Sequence, residues 1–274
     1  MIATTTKATS MTDIQDISLR VGEESVSARV LGQGRTIVLL HSLLADRGSF
    51  EPLSQLLART HRVVMPDLPG FGGSHPVTGG LEAVADRVAG ALGALQLDEP
   101  PILLGNGYGG FVALMTAVRH PGIARKLVLA DCGAAFSEPG RQAFRNMSAG
   151  ATAKGLAGIA DVAMRRLFSP EFQAAHPELI AQRRERFIAV HPETFHAACA
   201  ALASLDLRQQ AAEVRVPALV LVGEQDEATP PEMARELASL LPDARFELLT
   251  GCAHVPQLQA PEQFLAAIAG FIAD

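Results

Sequence analysis

Apolar positions along this chain fall into two textures. In the first, short unbroken apolar runs alternate with stretches of helical period. Over Ser25–Leu31 the residues Val26, Ala28 and Val30 alternate with polar neighbours, as on a half-buried strand. Arg35–Leu40 ends in Ile-Val-Leu-Leu, the mark of a strand covered on both faces. Phe50–Arg59 predicts a helix, Arg62–Met65 a buried strand stopped by Pro66, and Leu81–Leu95 an Ala-rich amphipathic helix. A strand at Ile102–Leu104, a glycine-rich turn, a helix over Phe111–Arg119 and a strand over Lys126–Ala130 follow. The same texture resumes after Arg215. It predicts a strand at Pro217–Val222 and a helix at Pro230–Leu241, with Thr229 as N-cap and proline at its first position. A last strand at Arg245–Leu249 and a last helix at Pro261–Ile272 complete the series. Alternation on this scale predicts an α/β fold with a mostly parallel, doubly wound sheet.

The second texture fills residues 136–205. No buried-strand run occurs there; Ala, Arg, Gln and Glu recur with helical period, broken at Pro139, Pro170, Pro177 and Pro192. The division expected is a core of residues 1–135 and 206–274 with an all-helical insertion at 136–205. With 274 residues, 48% of them hydrophobic, the chain can bury a large core. Its net charge of −6 argues against nucleic acid or an anionic membrane as partner. No apolar run approaches the ~20 residues that span a bilayer. Met1–Asp16 is polar and Thr-rich, without a signal-peptide core, and is expected to be a loose tail. The three scattered cysteines, Cys132, Cys199 and Cys252, suit reduced thiols in the cytoplasm. No Cys/His spacing suggests a metal site, and no cofactor is expected.

Candidate chemistry sits in the turns that follow the strands. Gly105-Asn106-Gly107-Tyr108-Gly109 has the outline of G-x-S-x-G, a strained strand-to-helix turn that lifts a nucleophile above a sheet. The nucleophile's own position is Gly107. The other strand-end turns are His41-Ser42-Leu43-Leu44, Asp67–Ser74, Gly223-Glu224-Gln225-Asp226 and Gly251-Cys252-Ala253-His254. With these residues in this order the chain resembles the α/β-hydrolase superfamily from about Ile14 onward. Within it, Ser204–Arg208 and Asp226–Ala234 are most similar to 3-oxoadipate enol-lactonases.

That resemblance implies an α/β-hydrolase fold, with residues 136–205 as a helical lid. It implies hydrolysis of a small carboxylic ester or enol-lactone in small-molecule catabolism, by a monomer or homodimer. The triad would be Gly107 (vacant), Asp226 and His254. His254 would move the proton, and Asp226 would fix its tautomer. Backbone N–H groups of Leu43 and Tyr108 would form an oxyanion hole, which needs no side chain. Ser42, Tyr108, Phe136, Phe168 and Val255 are expected to line the substrate pocket, and His41 to order the oxyanion loop. Ser42 sits on a different loop from the elbow and is not expected to pair with His254 as a substitute nucleophile. Among Arg165, Arg166, Arg183, Arg184 and Arg186, one reaching the pocket would suit a carboxylate substrate.

Four readings of Gly107 stay open. It is a Ser→Gly variant of a serine hydrolase with little acyl-enzyme chemistry, or part of a Ser-less hydrolase, lyase, isomerase or oxygenase using His254–Asp226 as base. It is a relic in a ligand-binding pseudoenzyme, or Gly105, Gly107 and Gly110 form a dinucleotide fingerprint, with Asp131 as ribose acid. Asp131 is also a reserve triad acid.

Overall fold

The computed structural model describes residues 14–273. Eight strands form one twisted sheet: β1 (Gln15–Val21), β2 (Glu24–Leu31), β3 (Thr36–Leu40), β4 (Arg62–Pro66), β5 (Ile102–Asn106), β6 (Lys126–Ala130), β7 (Ala218–Gly223) and β8 (Ala244–Leu249). Their order is β1-β2-β4-β3-β5-β6-β7-β8. The β1–β2 and β2–β4 pairings are antiparallel and the rest parallel. The central strands β3, β5 and β7 are buried along their whole length, because helices cover both faces.

The crossovers carry α1 (Glu51–Leu57), α2 (Gly80–Ala94) and α3 (Tyr108–Arg119). After β6 the chain leaves the sheet for α4 (Glu138–Leu167), α5 (Pro170–Ala175), α6 (Pro177–Ile188) and α7 (Pro192–Ala203). The exit and return are clamped together: Ala135 bridges Asp206, and the Leu207 N–H donates to Ala134 O at 2.7 Å. Then come α8 (Arg208–Ala211), α9 (Pro231–Leu240), α10 (Pro256–Gln259) and α11 (Pro261–Ile272). One apolar cluster runs from the sheet through Phe111 into Phe136, Phe144, Phe168, Phe187 and Phe195, so the helical segment shares a core with the sheet. A second cluster seals the opposite face beneath Phe50, Leu53, Phe264 and Ile268.

Two expectations need correction. β1 begins at Gln15, inside the segment expected to be a tail; the remainder of that expectation, residues 1–13, lies outside the described residues. Thr229 does not cap α9, whose N-cap is Pro230; its hydroxyl turns instead toward Asp226.

Candidate active site

Every candidate group stands at the carboxyl end of a parallel strand, where α/β sheets place their ligands. Gly107, between β5 and α3, holds φ +54° and ψ −119°, left-handed backbone that side chains rarely adopt. Its N–H donates to Ala130 O at 2.9 Å, and its carbonyl accepts from Gly110 N–H at 2.9 Å.

His254 follows β8 and Asp226 follows β7. The imidazole Nδ1 lies 2.8 Å from Asp226 Oδ2, both residues being buried. The carboxylate accepts that N–H, and Nε2 faces the cavity and Ser42. Asp226 Oδ1 also accepts the Ala228 and Thr229 N–H groups at 2.8 and 3.0 Å. The Thr229 hydroxyl lies 2.6 Å from Asp226 Oδ2 and 2.7 Å from Asp131 O. The acid is therefore held at both oxygens.

Asp131, at φ +50°, is buried just beyond β6. Burial, and then the adjacent Asp226 charge, push its carboxyl well above the usual carboxylate range. It accepts the Gly223 N–H at 2.9 Å and Asn106 Nδ2 at 3.1 Å. Asn106 Nδ2 also donates to His254 O at 2.9 Å, tying the elbow to the histidine's backbone. Asp131, Asp226 and His254 have donor atoms within 4.8 Å of one another, spacing that a metal could use. Their oxygens are already taken by amide and hydroxyl donors, which makes the cluster a hydrogen-bonded network.

His41 is buried and its pKa is lowered by burial. Its Nε2 accepts the Leu68 N–H at 3.0 Å, so Nδ1 carries the proton and donates to Ser42 O at 3.0 Å. That fixes the loop after β3. Among the described residues, the Leu43 and Tyr108 N–H groups have no hydrogen-bond acceptor. Both residues line one apolar cavity with Ser42, Gly107, Phe111, Phe136, Phe144, Arg166, Leu202 and His254. Tyr108 also lines a longer groove between Pro69–Gly80 and the α6–α7 region.

Residues 37–267 match the alpha/beta hydrolase family. The chain belongs to that family. It is 31% identical to the pimeloyl-[acyl-carrier protein] methyl ester esterase of Chromobacterium violaceum over 244 residues, 87% of this chain and 94% of that protein. It is 27% identical to 3-oxoadipate enol-lactonase 1 of Acinetobacter baylyi, over 86% of this chain and 88% of that one. The solved enol-lactonase of Burkholderia xenovorans LB400 superposes with a TM-score of 0.87 at 25% identity, over 94% of this chain and all of that one.

In this alpha/beta hydrolase the elbow glycines are spent on packing. A Cβ at Gly105 would lie 2.1 Å from Gly109 O, one at Gly109 2.0 Å from Leu40 O, and one at Gly110 2.6 Å from Cys132 Sγ. They let α3 press against β3, β5 and β6, which removes the reason for reading Gly105, Gly107 and Gly110 as a phosphate loop. Two pocket expectations also change. Val255 is fully buried in the core and outside the cavity, and Phe168 stacks on Phe172 and lines a neighbouring cavity with Arg165 and Arg166. Ser42, which loop position seemed to separate from His254, lies 3.3 Å from its Nε2. Sequence reasoning gave Asn106 no role and Thr229 only that of a helix cap. The only signal was a polar side chain placed directly beside a strand end.

Proposed function

We propose that this chain hydrolyses a small carboxylic ester or lactone carrying a carboxylate, in small-molecule catabolism. The observation that carries the reading is the pairing of His254 Nε2, oriented by Asp226, with the acceptor-free Leu43 and Tyr108 N–H groups around one cavity. His254 acts as general base, then as acid toward the leaving oxygen; the two N–H groups receive the charge that develops on the carbonyl oxygen. The names of the relatives, an esterase and an enol-lactonase, support that bond class.

Phe136 and Phe144 form an edge-to-face pair at 4.8 Å in the cavity wall, and the helices from 138 to 203 act as its lid. Arg166 supplies the counter-charge for the carboxylate. Three buried, unpaired cysteines support a cytoplasmic setting. The test is turnover of a panel of methyl esters, p-nitrophenyl acetate and five- and six-membered lactones. His254→Ala is expected to lose roughly 10³-fold or more of any activity found. Unchanged turnover in that variant would remove His254 from the chemistry, and tight product binding with no turnover in either protein would instead mark a ligand-binding protein.

A further inference from the structure

The elbow position, Gly107, carries no side-chain oxygen, whereas the neighbouring loop places a serine beside His254. Ser42 Oγ stands 3.3 Å from His254 Nε2 and makes no other hydrogen bond among the described residues. A Cβ built on Gly107 would lie 2.6 Å from Ser42 Oγ, 2.7 Å from His254 Nε2 and 3.1 Å from Ser42 Cβ. Real side chains do not approach that closely. The Ser42 hydroxyl and the imidazole have closed into the space that a side chain at 107 would need. We propose that Ser42 is the nucleophile of this site; the proposal rests on the hydrolytic reading above.

Each requirement for an activated serine is met by a different part of the fold. The base is within reach, and 3.3 Å in an unliganded site is a distance that substrate closure shortens. The base is itself oriented, by Asp226. The serine's backbone is held, since Ser42 O accepts from His41 Nδ1 and from the Ala45 N–H at 3.3 Å. An oxyanion donor, the Leu43 N–H, is the next amide along the chain.

The step balances without any further reactant. Ser42 Oγ bonds to the carbonyl carbon while His254 Nε2 takes its proton. The carbon–oxygen ester bond then breaks as His254 returns that proton to the departing oxygen, which stays tethered if the substrate is a lactone. Water attacks the Ser42 ester, losing a proton to His254. Collapse releases the acid, and the proton returns to Ser42 Oγ.

The experiment treats the full chain with a fluorophosphonate and maps the adduct by peptide mass, beside steady-state kinetics of Ser42→Ala, Ser42→Cys and His254→Ala. One adduct per chain on Ser42 is expected, absent from Ser42→Ala, whose kcat falls roughly 10³-fold or more. Ser42→Cys is expected to keep a stoichiometric acylation burst with p-nitrophenyl acetate, which shows that the alanine loss is not misfolding. If Ser42→Ala keeps most of the activity while His254→Ala loses it, water attacks directly; the nucleophile proposal fails and the hydrolytic reading stands. If the wild type takes no probe and turns over no ester or lactone, both fail.

Discussion

At the scale of single residues the site depends on where one proton sits. Asp131 and Asp226 are buried close together, and Asp226 is the one hydrogen-bonded to His254. Burial and its neighbour's charge raise the Asp131 carboxyl well above the usual carboxylate range. A carboxyl whose folded-state pKa is raised binds its proton more tightly folded than unfolded. Its stabilising contribution is complete below the unfolded value of 3.8 and is lost as pH rises toward the folded value. Asp131→Asn is therefore expected to flatten the stability–pH curve, gaining on the wild type steadily as pH rises above about 4. Urea melts of both proteins across pH 4 to 8 measure the difference; parallel curves would mean that Asp131 is ionised in the fold. Sequence could point to Asp226, His254 and Gly107 because each occupies a fixed place after its strand. It could not see Ser42 beside His254, since only the closure of β3, β5 and β8 into one sheet edge brings those loops together. Nor could it see that Thr229 and Asn106 are enlisted to hold the acid and the histidine.

Among the elements, those with a strong period were legible to within a residue or two, except that α3 begins at Tyr108, three residues before the expected Phe111, and the misses have physical causes. β1 is an edge strand with Leu19 as its one buried residue, so its apolar signal is too thin to rise above a polar tail. The helical segment was legible as helices but not in its folding, because α4 reverses within itself. Gly155 takes φ +69° and ψ +170°, a region open to glycine alone. The two arms fold together closely enough that a Cβ at Gly150 would lie 3.0 Å from Ile159 Cγ2. This brings Phe144 on the first arm against Arg166 on the second, ring to guanidinium at 5.7 Å. Nothing crowds Gly155, so the cost of a side chain there is purely conformational. Gly155→Ala is expected to cost about 1–3 kcal/mol, roughly 2 to 10 °C of melting temperature for a chain of this size. It should also raise KM by spreading Phe144 from Arg166. Calorimetry with kinetics on one ester tests both; an unshifted melting temperature with unchanged KM would mean that the reversal does not depend on glycine.

Across the whole molecule, charge argues for a specific substrate feature. The net charge of −6 opposes the approach of an anion, so any carboxylate substrate needs a local cation. Most arginines of the helical segment are already engaged: Arg183 and Arg186 with Asp46, Arg184 with Asp161, Arg145 with Glu138. The Arg183 pair ties α6 to the loop that carries Ser42 and Leu43, which makes it a structural link between the helical segment and the sheet. Arg166 is different. It is half-buried in the wall of the cavity that His254 also lines, its pKa drawn down by burial and partly restored by the charges of Asp226 and Glu227, and among the described residues it has a ring contact but no direct ion pair. Even so lowered, a guanidinium stays charged near neutral pH. A half-buried cation whose counter-charges act only at a distance gains from a ligand carboxylate that pairs with it directly. A charged hydrogen bond is worth about 1.5–3 kcal/mol. Arg166→Gln is therefore expected to lower kcat/KM for a half-ester bearing a free carboxylate by roughly 10- to 100-fold, mostly through KM. The corresponding dimethyl ester, which has no charge to lose, should change less than about twofold. Matched kinetics on the two esters decide the matter. Equal losses on both would mean that Arg166 only props the lid, and preserved activity on the half-ester would move the carboxylate to another part of the cavity.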